Sequence, residues 1–260
     1  MEFGAENNKY TAFNFLDKTK QCFHQVKLAF SSCDLCGNKC DEYLLLCQYC
    51  LLDLPQFNYS LVTADLLNWP AINKIIPKQS FDHLHCLSPH KWPYTQWISS
   101  LKYKGRFELA DLLGKLLYES WQKNTQLLNA NKRETNNAAN LPSVIMSVPL
   151  HLTKWQQRGY NQAHLIAIKF AMHSGIYYQC NAITRQVETE SQVGKSGKER
   201  RNNMKNAFSI NTQGMYLPKH VILIDDVVTT GTTVNEISAL LKSHGVEKVT
   251  VLSLTIALPE

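Results

Sequence analysis

The stretch from Val221 to Thr233, VILIDDVVTTGTT, constrains this chain more than any other. Its branched apolar run, Val221 to Ile224, reads as a fully buried strand. Two adjacent carboxylates, Asp225 and Asp226, are expected where that strand ends. A small hydroxyl-rich turn, Thr229-Thr230-Gly231-Thr232-Thr233, then opens a helix with apolar positions Val234, Ile237, Leu240 and Leu241. In an open parallel sheet, ligands bind beyond the carboxyl ends of the strands. A helix start offers unpaired N–H groups and a positive dipole end to phosphate. The turn is therefore read as a phosphate seat. Adjacent acids beside a buried strand repel and desolvate one another, so a ligand or cation explains them better than loop capping does.

The surrounding pattern supplies the rest of a parallel α/β domain. Ser143 to Leu150 reads as a buried strand ending at Val148-Pro149. Trp155 to Ala163 follows, with Gly159 permitting an unusual backbone and Arg158 offering a planar fork to phosphate oxygens. Asn161 is placed to cap the next helix, which carries Leu165, Ile166, Ile168, Phe170 and Met172 before Gly175 stops it. Thr184 to Asn206 is a long polar arm with six basic residues (Arg185, Lys195, Lys198, Arg200, Arg201, Lys205), read either as a mobile lid over a charged substrate or as a surface loop. After Gly245 stops the helix of the opening motif, Lys248 to Ala257 reads as the last strand.

Upstream, Phe107 to Trp121 has an apolar helical face. Gln122 to Asn140, rich in asparagine, reads as a linker. Lys102, Lys104 and Arg106 are either an anion site or a solvated surface. Between Leu51 and Pro93 five prolines break the pattern, so only short helices are expected. His83, His85 and His90 near Cys86 fit no usual metal spacing and are read as surface or core histidines.

Five cysteines crowd the N-terminal part as Cys33-x2-Cys36-x3-Cys40-x6-Cys47-x2-Cys50. Two Cys-x2-Cys knuckles suit one tetrahedral Zn²⁺, with Cys33, Cys36, Cys47 and Cys50 as ligands. Cys40 is a spare or a replacement. Four thiolates leave no open position, so the role is structural. Cys22, Cys86 and Cys180 are read as packing residues. The net charge of +6 is spread along the chain, which disfavours a dedicated nucleic-acid face. No apolar run approaches the roughly 18 residues of a membrane helix, and the polar start is unlike a signal peptide. A cytoplasmic location without membrane insertion is expected. The organisation is read as 1–60 with the cysteine module, 61–140 as helical region and linker, and 141–260 as the main domain.

No lysine follows Gly231 in the spacing of a nucleotide-triphosphate loop, and no GxGxxG follows a strand. The acids with the turn suit a sugar phosphate. VILIDDVVTTGTT resembles the signature of type I phosphoribosyltransferases, which bind 5-phosphoribosyl-1-pyrophosphate (PRPP). The paired knuckles, the segment Leu101 to Arg106, Val148-Pro149-Leu150 with Arg158-Gly159-Tyr160-Asn161-Gln162, and Thr189, Gln192 and Arg200-Arg201-Asn202-Asn203 ahead of Ala207-Phe208 narrow the likeness. Together they resemble the ComF (GntX-like) competence-associated family, from about Cys33 onward. Gln157 departs from the arginine often found there. The resemblance implies a type I phosphoribosyltransferase sheet flanked by helices, a zinc-ribbon-like N-terminal module, and transfer from Mg²⁺-bound PRPP to a nitrogenous acceptor. It implies that Asp225 and Asp226 hold the ribose and its metal shell, and that Thr229, Thr230, Gly231, Thr232 and Thr233 hold the 5-phosphate. It further implies that Arg158 meets pyrophosphate and that Gln192, Arg200 and Arg201 lie in the lid. A link to DNA-uptake proteins follows from the same likeness. The alternative is a PRPP- or nucleotide-sensing adaptor that binds without turnover.

Overall fold

The computed structural model describes residues 31–40, 43–76, 79–131, 144–185, 207–211 and 217–258. The chain falls into two compact units, Met1–Leu54 and Pro55–Glu260. In the first, Gly37 N–H closes a turn onto Cys33 O at 2.9 Å, and helix α1 (Gln48–Leu52) starts directly after Cys47.

The second unit is built on a four-stranded parallel sheet ordered β1 (His83–Pro89), β6 (Lys248–Ile256), β5 (His220–Val228), β2 (Val144–Ser147). Central strands β5 and β6 are buried almost throughout, as their branched runs require. Helix α2 (Pro70–Ile75) opens on a proline at its first position, where no donor is lost. Helices α3 (Tyr94–Tyr103) and α4 (Glu108–Asn131) follow β1, while α5 (Leu152–Arg158) and α6 (Gln162–Ser174) follow β2. A short antiparallel ribbon, β3 (Ile183–Arg185) with β4 (Phe208–Ile210), precedes β5, and α7 (Thr232–Ser243) joins β5 to β6.

Helices α4 and α6 pack on one another and against the sheet, α4 on β1 and β6, α6 on β2 and β5. Their contact is close at Gly114, where a Cβ would come within 2.6 Å of the Cβ of Lys169. In a second cluster, Leu84, Met146, Leu223 and Val251 of the sheet meet Val234, Ile237 and Leu241 of α7 and Ile72 and Ile76 around α2.

Several elements differ from the sequence reading. β5 does not end at the acids: Asp225 pairs with Ser253 and Val228 with Ile256. β2 is shorter than the expected Ser143 to Leu150. β1 comes from the proline-broken region, where no strand is expected, yet it lies along β6 from His83 to Pro89. Its histidines sit as read: His85 is core, and His83 pairs with Asp65 at 2.7 Å. Helix α4 continues past Gln122 to Asn131 rather than yielding to a linker, because Asn124 is buried and donates to Ala64 O at 2.7 Å. Thr184 and Arg185, expected in the polar arm, belong to β3; Thr189 and Gln192 to Asn203 lie outside the described residues. Met172 is exposed rather than part of an apolar face, and Cys180 is exposed while Cys86 is core. Cys22 lies outside the described residues.

Candidate functional site

The site forms at the carboxyl edge of the sheet, where β5 passes into α7. Strand alternation puts Asp225 on the side of Val221 and Leu223, which cluster with residues of α7, and Asp226 on the opposite side, where it meets Gln162 of α6. Asp226 is buried and held on both oxygens. Oδ1 accepts from Gln162 Nε2 at 3.3 Å, and Oδ2 forms an ion pair with the Lys102 ammonium. Asp225 Oδ1 accepts the N–H of Asp226 at 2.8 Å. Burial, and then the charge of Asp226, pushes the Asp225 carboxyl well above the usual carboxylate range, against the pull of that N–H and of Lys102. Such a pair calls for further positive charge or for hydroxyl donors.

The turn after β5 is the candidate anion seat. Gly231 takes the N-cap of α7 with φ +69°, and among the described residues no side chain caps the helix, an arrangement that suits an anion at its first N–H groups. Thr229, Thr230 and Thr232 are exposed, and the hydroxyls of Thr230 and Thr232 lie 2.9 Å apart. The turn packs on Ile76, the residue just after α2, for a Cβ at Gly231 would lie 2.8 Å from Ile76 Cδ1.

Arg158, the last residue of α5, sits 4.7 Å above the Tyr103 ring and donates to Tyr103 Oη at 2.9 Å and to Gln162 Oε1 at 3.0 Å. Tyr160 packs edge-on against Phe107 at 4.8 Å and donates to Leu101 O. Asn161 caps α6 through the N–H of Ala163, as expected, and also donates to Val148 O at 2.9 Å. The segment from Leu101 to Phe107 is thereby joined to the loop from Arg158 to Gln162. Sequence reasoning marked Lys102 only as one of three basic residues; helical spacing cannot show that its ammonium reaches an acid more than a hundred residues later. His90 was missed as a neighbour of the site. Burial and then Lys102 hold its pKa below the usual histidine range, opposed by Asp226. Thus Asp225 and Asp226 of β5 and the threonine turn lie on one continuous segment, and Arg158 reaches Asp226 through Gln162. Gln192, Arg200 and Arg201 lie outside the described residues.

In the N-terminal unit, the thiol sulfurs of Cys33, Cys36, Cys47 and Cys50 all lie within 4.8 Å of one another. Those of Cys36 and Cys47 are 3.6 Å apart. Four thiolates about 2.3 Å from one zinc stand about 3.8 Å from each other, so the set fits a tetrahedral metal such as zinc. Burial pushes the Cys33 thiol up, but backbone hydrogen bonds at Cys47, Leu35 and Cys36 outweigh it and bring it down to about 6, while the hydrogen bond with Cys36, and then burial, push the Cys50 thiol up. Cys40 is buried and is not among the four. No helix among the described residues is long and apolar enough to cross a membrane.

Residues 181–255 match the family described as Phosphoribosyl transferase domain. Competence protein F of Haemophilus influenzae is 32% identical over 235 residues, covering 90% of this chain and 87% of that protein. DNA utilization protein YhgH of Salmonella typhimurium is 32% identical over 224 residues, covering 85% and 88%. Among solved structures, the glutamine PRPP amidotransferase from B. subtilis complexed with ADP and GMP matches with TM-score 0.36 and 20% identity, over 55% of this chain and 25% of that one.

Proposed function

Because the chain belongs to the family of competence protein F and DNA utilization protein YhgH and carries a phosphoribosyl transferase domain, we propose that it transfers the phosphoribosyl group of PRPP to a nitrogenous acceptor, with Mg²⁺. The observation that carries this reading is the acidic pair of β5, with the glycine-capped start of α7 a few residues on, at the carboxyl edge of a parallel sheet.

Asp225 accepts a ribose hydroxyl, and Asp226 stands behind it. The N–H groups and hydroxyls from Thr229 to Thr233 hold the 5-phosphate. Arg158 swings from Tyr103 to the pyrophosphate, and Gln192, Arg200 and Arg201 close over the complex. Asp225 beside a phosphate ligand offers one carboxylate to a cation that would keep most of its waters. Mg²⁺ bound with PRPP would supply positive charge against the pyrophosphate. The chain contributes positioning and charge complementarity rather than a covalent nucleophile. Cys33, Cys36, Cys47 and Cys50 hold a structural Zn²⁺. The work belongs to competence or DNA utilisation, with proteins of DNA uptake as partners, and takes place in the cytoplasm.

A pyrophosphate-release screen with Mg²⁺-PRPP against purines, pyrimidines and small amines tests the reading. Release with one acceptor class is expected. Tight PRPP binding with no release in any arm would make the protein a PRPP-sensing adaptor, and absence of binding would refute both.

A further inference from the structure

We propose that Lys102 is a positioning residue of the acidic site, clamping Asp226 against Gln162 so that Asp225 is the carboxylate left to meet a ribose. The role for Asp225 rests on the phosphoribosyltransferase reading above; the clamp itself does not.

Lys102 lies on the last turn of α3, and its side chain and that of Asp226 are only 18% and 7% exposed. A charge pair at that depth is weakly screened, and removing one member strands the other. Gln162 takes the second oxygen of Asp226, so that carboxylate has both oxygens engaged before any ligand arrives. The lysine is itself fixed from its neighbour. Tyr103 is held by Arg158, Arg158 holds Gln162, and Gln162 returns to Asp226, a closed ring through α3, α5, α6 and β5. Two adjacent acids present different faces as a result. Asp226 is paired from the α3 and α6 side, while Asp225 lies on the sheet face of Val221 and Leu223, which pack with Val234, Ile237 and Leu241 of α7. The lysine thus offsets part of the repulsion between two like charges set one peptide bond apart. It acts on the ligand only through Asp226.

The test is a double-mutant cycle with Lys102→Met, Asp226→Asn and their combination, plus Lys102→Arg. In calorimetry with Mg²⁺-PRPP, Lys102→Met is expected to weaken binding about tenfold or more. Lys102→Arg, which keeps the charge, should stay within about threefold. The double variant should bind no more weakly than Asp226→Asn alone. Additive losses would overturn the proposal, because they would mean that the lysine touches the ligand itself. The same cycle on the ligand-free chain reads the clamp without PRPP: the two single variants should shift the urea midpoint by more in sum than the double variant does. Additive midpoint shifts would overturn the clamp. If the wild-type chain binds no Mg²⁺-PRPP, the proposed function fails, and the unfolding cycle still decides the clamp.

Discussion

Gly231→Ala reports on whether the anion seat is built on Ile76. At φ +69° an alanine costs roughly 1–2 kcal/mol for its left-handed backbone. Its Cβ would also lie 2.8, 3.0 and 3.2 Å from Cδ1, Cγ1 and Cγ2 of Ile76, a fully buried side chain with little room to retreat. Overpacking of that kind costs about 1–3 kcal/mol. The sum is about 2–5 kcal/mol, read as a loss of unfolding free energy in urea. The steric share is separable. Ile76→Val removes Cδ1 and alone costs about 0.5–1.5 kcal/mol. Combined with Gly231→Ala, it should recover part of the alanine's loss, so the double variant is more stable than the sum of the singles predicts. A Gly231→Ala loss below about 0.5 kcal/mol, or strict additivity with Ile76→Val, would refute the packing argument.

Asp225→Asn should raise the stability of the ligand-free chain at pH 7 by about 1–2 kcal/mol in urea unfolding while abolishing PRPP binding, since it removes a charge that burial and Asp226 disfavour. His85 sets a pH dependence. Burial holds it down to about 3, below its ordinary value near 6.5. The unfolded chain therefore takes up a proton that the folded chain refuses, and stability falls as pH drops from about 6.5 towards 3, by about 1.4 kcal/mol per pH unit. Above 6.5 this group contributes no slope, and His85→Gln should flatten that part of the urea-unfolding profile. Metal analysis should find one zinc per chain, lost on Cys36→Ser or Cys47→Ser, and stripping the metal should be accompanied by proton uptake by the protein as the thiolates reprotonate.

The opening motif was legible because each part has a local cause: a branched run for a buried strand, a glycine where the backbone must turn left-handed, and small hydroxyl residues at a helix start. Asn161 was legible for the same reason, since a cap acts within a few residues. β1 was not, because prolines at Pro77 and Pro93 flank a strand whose partner, β6, is far away in sequence. The extent of α4 was hidden too. Asn124 and Thr125 look like linker residues, yet Asn124 donates to Ala64 O and Thr125 to Trp121 O. At the site, the acids and the threonine turn could be read from one segment. Lys102 could not, because its partner is fixed by how α3 docks, and nothing in the spacing of basic residues encodes that.

The central claim, that the β5 acids and the α7 turn form a PRPP site, is tested most directly by calorimetry of the purified chain with Mg²⁺-PRPP. The account predicts saturable one-site binding that is lost in Asp225→Asn. No heat of binding in the wild-type chain, or unchanged affinity in that variant, would contradict it.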